Sequence, residues 1–219
     1  GAYRVTGDER FAAAAAKHLQ AWFVEPATRM NPSLLYSQAI KGVNTGRSIG
    51  VIDTLHLAEV ALGVEALHGA KSFPAAEEAA VKTWFRDYLH WLRTHPYGVD
   101  ESNAKNNHGT CAWLQIACFA HLLGDDAELA ASKQRFKEVL LPTQMAADGS
   151  FPEELRRTKP YGYAIFNLDV MTALAGVLST PEENLLSVAL PDGRSLVKGV
   201  AWLAPCLADE SAWTKDVRN

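Results

Sequence analysis

Cysteine is scarce in this 219-residue chain, and its three copies are badly placed for cross-linking. Cys111 and Cys118 sit seven residues apart in one apolar run, where a helix separates them by about 10 Å, beyond disulfide reach. They read as buried thiols. The seven histidines contain no i, i+4 pair and have no partnering Cys-x-x-Cys, so no metal site and no cofactor is expected. A basic surplus is also missing: Lys and Arg total 21 against 25 Asp and Glu, a net charge of −4. This argues against a nucleic-acid partner. No apolar run reaches membrane-span length without a charge interrupting it, so no membrane partner is expected. Strand-like alternation of useful length is absent; "RSIGVID" is the only short candidate, and helix fits it better. There is no Gly-rich phosphate loop and no serine nucleophile elbow, and "GDD" and "DGS" are turn signals. The opening "GAYRVTGDERF" has no signal-peptide pattern. It reads as the middle of a protein, and the expectation is that N-terminal helices and any targeting signal lie outside this chain.

What is present is helix. At 48% hydrophobic residues the chain has enough for a sizeable core, and its length suits one domain, 1–219. "TGDERFAAAAAKHLQAWFV" opens with Thr6 three residues before Glu9, a capping-box spacing. "SIGVIDTLHLAEVALGVEAL" follows, mostly apolar. "PAAEEAAVKTWFRDYLHWLRTH" starts on Pro74, a good first-turn residue, and is amphipathic; Trp84, Tyr88 and Trp91 have core spacing there. "GTCAWLQIACFAHLLG" is apolar almost all round and ends on Gly124, a plausible C-terminal cap. "DAELAASKQRFKEVLLPTQM" is amphipathic, "YGYAIFNLDVMTALAGVL" apolar, and "SLVKGVAWLAPCLAD" a weaker last helix. Apolar and amphipathic helices take turns. That alternation suits inner and outer helices of an all-α, two-layer α/α barrel, here an incomplete α/α toroid of antiparallel helix hairpins.

A polar cluster precedes each inner helix. Gln38, Asn44 and Arg47 precede the first, Asn103, Lys105, Asn106, Asn107 and His108 the second, and Arg156, Arg157, Lys159, Tyr161 and Tyr163 the third. In a barrel whose inner helices run the same way, these clusters meet at one rim with several positive helix ends. Such a rim suits a polyanion or a carboxylated ligand. An imidazole, an amide, a guanidinium and a phenol suit proton abstraction next to a carboxylate. On that reading Asn107 and His108 are the donors expected to neutralise the carboxylate and stabilise an enolate-like transition state. Tyr163, with Arg156 nearby to ease its ionisation, is then the group expected to remove the C5 proton of a uronate and to protonate the departing O4.

Simpler readings stand beside each assignment. Asn106 or Asn107 caps a helix, His108 is structural, the basic residues form a solvated face, and Tyr163 is a core residue. Glu153 and Glu154 form a possible acid pair for glycoside hydrolysis, but adjacent residues point apart, so capping or salt bridging fits them better.

"NNHGTCAW", followed some forty residues later by "DGSFPEELRRTKPYGYAIFNL", resembles the alginate lyase family of polysaccharide lyases. That family carries an Asn-Asn-His segment at an inner helix start. Downstream it has a DG-(S/T)-hydrophobic-x-E turn, an Arg seven residues before a Tyr, and an aliphatic-Phe-x-Leu helix. The resemblance implies carboxylate neutralisation by Asn107 and His108 and acid and base duty for Tyr163 with Arg156. "NPSLLYSQAIKGVNTGRSIGVIDT" looks like a cleft-lining segment, which makes Gln38 and Arg47 candidate sugar and carboxylate contacts; Asn44, Asn106 and Tyr161 join them as candidate binding residues. Many members have His before the catalytic Tyr, where this chain has Gly162. The resemblance further implies an acidic polysaccharide substrate and export to the periplasm or beyond. The expected activity is β-elimination on a 1,4-linked polyuronate, mannuronate-rich alginate or glucuronan. The rivals are an α/α-barrel glycoside hydrolase, with Glu153 or Asp148 as one of its acids, and a non-catalytic carbohydrate-binding protein.

Overall fold

A computed structural model describes residues 1–213, and all the extended regular structure among them is helical. The helices are α1 (Ala2–Thr6), α2 (Glu9–Leu19), α3 (Leu57–Glu65), α4 (Ala75–Thr94), α5 (Pro96–Ser102), α6 (Asn107–Leu123), α7 (Asp126–Arg135), α8 (Leu141–Gln144), α9 (Pro152–Leu155), α10 (Pro160–Leu178) and α11 (Leu196–Ala208). The all-α class expected from the sequence is the class observed. The chain divides into two compact units, 1–99 with 118–126, and 100–117 with 127–219.

In the first unit, α2 buries Ala12, Ala16 and Leu19, and a π-helical turn, Gln20–Val24, carries the stripe on to Phe23. That turn packs on α4, whose buried face presents Val81, Trp84, Phe85, Tyr88, Leu89 and Leu92. Phe23, Trp84 and Phe85 meet at ring-centroid distances of 4.8–5.3 Å. Phe85 and Tyr88 also meet Phe119, at 5.0 and 5.7 Å. The Tyr88 hydroxyl is 2.6 Å from Thr54 Oγ1, and burial pushes its ionisation well above the usual phenol range. Trp84 and Tyr88 are thus core residues; Trp91 is half-buried and stacks on His95.

Three sequence expectations change here. Thr6 does not cap α2: Gly7 turns the chain at φ 68°, ends α1 and separates Thr6 from the next helix. Asp8 is the cap, accepting from the Arg10 amide, while Glu9 reaches Lys71 and Ser72. The second long helix is split into a 3₁₀ segment, Ser48–Thr54, and α3. Pro74 stands just outside α4 with extended backbone rather than in its first turn.

In the second unit, α10 is the central element. Nine of its residues, from Pro160 to Leu178, are buried, and it packs on α9, α11 and the 3₁₀ turn Leu185–Ser187. By length and composition α10 would pass for a membrane-crossing helix, but 44% of that window is buried inside the protein and it carries Asp169. It is a core helix. The expected single helix 126–145 is α7, a π-helical turn Phe136–Leu140 and α8, with Pro142 near the start of the last piece. Ser195 caps α11 through the Lys198 amide.

Candidate active site

The Asn-Asn-His segment forms the start of α6. Asn106 stands just before the helix, and its carbonyl accepts the Gly109 amide while its side-chain oxygen accepts the His108 amide, at 3.0 and 3.2 Å. This is ordinary N-capping by asparagine. The loop that delivers the segment runs close: a Cβ on Gly109 would lie 2.1 Å from the Ala104 carbonyl oxygen, so only glycine fits.

Asn107 is fully buried. Its backbone amide donates to Glu154 Oε1 at 2.6 Å and its side-chain amide to Glu154 Oε2 at 2.7 Å. One carboxylate from α9, itself 1% exposed, thus satisfies two donors at the positive end of α6. His108 is held by a second buried carboxylate. Its Nδ1 lies 2.6 Å from Glu101 Oε1, with the two side chains 14% and 2% exposed.

The helix start of α10 carries Tyr163. The guanidinium of Arg157 lies over its ring, 4.3 Å from the centroid. Arg156, seven residues before Tyr163, is instead exposed and pairs with Glu153. The arginine against the phenol is therefore Arg157. Tyr161 points elsewhere: its hydroxyl donates to the Cys206 carbonyl at 3.1 Å and its ring meets Trp213 edge-on. A buried polar link joins the helices beneath. Thr110 Oγ1 on α6 and Asn167 Nδ2 on α10 both donate to Gln144 Oε1 on α8, at 3.0 and 2.9 Å.

The electrostatics mark one cluster. Desolvation raises the Glu154 carboxyl above its usual range, opposed by the Asn107 hydrogen bonds and then by the charges of Arg157 and His108. The geometry links the same residues: Asn107, next to His108, is bonded to Glu154, the Arg157 amide donates to the Glu154 carbonyl at 3.1 Å, and Tyr163 lies under the Arg157 guanidinium. Burial also pushes the Cys111 thiol far up, and Glu101 and Glu154 add to it. Burial likewise pushes the Cys118 thiol up to about 12. These are inert core thiols, as expected.

Gln38, Asn44 and Arg47 belong to the first unit. Arg47 donates from Nε to the Gln38 carbonyl at 2.9 Å and from Nη2 to Gln38 Oε1 at 3.2 Å. Gln38 in turn donates to Asp53 Oδ1 at 2.9 Å, and it holds φ 50°, a left-handed conformation costly for a non-glycine residue. Asn44 closes a turn, its side chain accepting the Ile40 amide. Gln38 and Arg47 form one positioned pair; Asn44 is a turn residue.

The carboxylates proposed for hydrolysis are engaged otherwise. Glu153 pairs with Arg156, Glu154 lies buried under Asn107, and Asp148 accepts from the Ser150 amide and hydroxyl. Among the described residues no group of three or more His, Cys, Asp or Glu is arranged to hold a metal ion. Sequence reasoning missed the parts played by Glu101 and Arg157. Arg157 was visible as a neighbour of Arg156, six residues before Tyr163. For Glu101 the sequence carries no signal, because its partner lies across a break between two helices.

Together the fold and site define an all-α protein with an amide, an imidazole and a phenol served by buried carboxylates and an arginine. The alginate lyase family model matches residues 1–213, and the chain belongs to that family. It is similar to a solved alginate lyase from Bacteroides ovatus, with 33% identity and a TM-score of 0.91 over 97% of this chain. The chain spans 57% of the length of that solved protein. No curated protein matches the chain at the sequence level.

Proposed function

We propose that the protein is a polysaccharide lyase that cleaves a 1,4-linked polyuronate, mannuronate-rich alginate or glucuronan, by β-elimination. The observation that carries this reading is the Asn107–His108 pair, seated at a positive helix end by two buried carboxylates, with an arginine-backed tyrosine in the same cluster. The family membership supports the same class of chemistry.

In the reaction, His108, 14% exposed, is assigned to the substrate carboxylate beside the fully buried Asn107. Asn107 spends one side-chain hydrogen on Glu154, and the second is assigned to the carboxylate. Neutralising that charge stabilises the enolate-like transition state, the type of preorganised donor worth about 10²–10³ in rate. Tyr163, as phenolate supported by Arg157, takes the C5 proton. The released electron pair forms the C4–C5 double bond, the C4–O4 bond breaks, and the same phenol returns the proton to O4. Abstraction and departure on one face fit mannuronate and glucuronate alike. Arg156, exposed and steadied by Glu153, is assigned to a substrate carboxylate, as are Arg47 and its positioning partner Gln38. Because the substrate is a polymer, the reaction is placed in the periplasm or outside the cell.

The test is direct. The protein is mixed in turn with polymannuronate, polyguluronate and glucuronan, and the ultraviolet absorbance of the conjugated C4–C5 double bond is followed. A rise with polymannuronate or glucuronan is expected. A new reducing end without that absorbance would indicate hydrolysis and overturn the proposal.

A further inference from the structure

Four histidine–carboxylate pairs among the described residues invite comparison, of which His56 with Glu59, at 3.7 Å, is exposed on both sides. His68 with Glu78 and His121 with Glu65 sit at the surface, with imidazoles 79% and 46% exposed. The pair His108–Glu101 differs: the carboxylate is 2% exposed and the imidazole 14%. A buried carboxylate costs several kcal/mol unless it is well paired, and a purely structural pair is matched or bettered by apolar packing. Here Glu101 engages Nδ1, so Nε2 is the ring nitrogen left for a ligand.

The surroundings hold that arrangement from several sides. Glu101 lies near the end of α5, and a short loop separates it from α6. The carbonyl of Ser102 accepts from Trp113 Nε1 at 2.9 Å and from Arg135 Nη2 at 3.1 Å. Arg135 also donates to Asn103 Oδ1 at 2.9 Å, and the Ala104 carbonyl rests against Gly109. The loop between carboxylate and imidazole is thereby fixed in register. This loop anchoring is the kind of support that keeps a reacting ring in one orientation.

We propose that Glu101 is a positioning residue: it keeps the proton of His108 on Nδ1 and so presents Nε2 to the substrate carboxylate. Doubly protonated, the ring donates from Nδ1 to Glu101 and from Nε2 to the uronate. The role in turnover rests on the lyase reading; the control of the proton does not. A hydrogen bond at one imidazole nitrogen decides the state of the other.

The test uses E101Q and E101D in the full chain. The imidazole ¹⁵N shifts of His108 are recorded without ligand, and kcat and KM are measured on whichever polyuronate the wild type cleaves. In wild type the shifts are expected to show Nδ1 protonated. In E101Q the amide can offer either face, so the Nδ1-protonated population falls. Its kcat is expected to drop about 10–100-fold, the usual effect of losing such a partner, with KM changed less than about threefold. E101D, which keeps the charge but withdraws it by one carbon–carbon bond, recovers part of the loss and serves alone if E101Q does not fold. Unchanged His108 shifts in both variants would overturn the proposal, as would unchanged kcat. If the wild type cleaves no polyuronate, the lyase reading falls, and the shifts alone decide whether Glu101 controls the proton.

Discussion

Glu154 offers the sharpest quantitative prediction. In Glu154→Ala the carboxylate that accepts from the Asn107 backbone and side-chain amides at 2.6 and 2.7 Å is lost. Bonds to a charged acceptor contribute about 1.5–3 kcal/mol each, so the pair sums to about 3–6 kcal/mol. Relief of the buried carboxylate's desolvation offsets part of that. The net loss expected is about 2–4 kcal/mol, and at about 2–4 °C per kcal/mol for this chain length the melting temperature falls by about 5–15 °C. Glu154→Gln keeps one acceptor and turns an N–H toward the other donor, so its loss is about half as large. The pH dependence follows from the raised Glu154 carboxyl, whose main cause is desolvation. A raised folded-state value means that the folded protein holds the proton more tightly than the unfolded chain. The stability this contributes is complete below the usual glutamate value of about 4.3 and is lost as pH rises through the folded value. Gln has no such proton. Wild type therefore loses stability relative to E154Q as pH rises from about 4 toward about 7. Thermal melts of wild type, E154A and E154Q across that range are the assay. An E154A melting temperature within about 1 °C of wild type, or a gap that widens with pH, would refute the reasoning.

Tyr163→Phe removes the phenol proposed to take and return the proton; kcat should fall by at least about 10²-fold, with polymer binding by calorimetry kept. Arg157→Ala, which strips the guanidinium from the Tyr163 ring, should lower kcat. Arg156→Ala should mainly raise KM, and steady-state kinetics showing the reverse split would return the catalytic role to Arg156. Gly162 is exposed, and a Cβ there would meet nothing within 4 Å. Gly162→Ala should stabilise α10 by about 0.5–1 kcal/mol in a denaturant titration.

The helices were legible because apolar periodicity and terminal residues report them locally. Gly124 takes the left-handed conformation expected of a helix end, and α6 and α10 are buried as their apolar faces require. Breaks inside helices were not legible. Nothing in "SIGVIDTLHLAEV" announces a 3₁₀ segment, and the π-helical turns after α2 and α7 depend on packing rather than propensity. The Thr6–Glu9 spacing was a true capping pattern overridden by Gly7, whose φ of 68° ends the preceding helix. At the site, Asn107, His108 and Tyr163 were readable as residues whose chemistry needs a partner. The partners came from elsewhere in the chain. Glu154 lies 47 residues from Asn107 and Glu101 lies across a helix break from His108, separations that only the folded chain closes.

The central claim is elimination at a uronate governed by Tyr163. It is tested most directly by following the ultraviolet absorbance of wild type and Tyr163→Phe side by side on polymannuronate and glucuronan. The account predicts a rise with wild type on at least one polymer and none with the variant. A variant that produced the unsaturated end at the wild-type rate would contradict it, as would a wild type silent on both polymers.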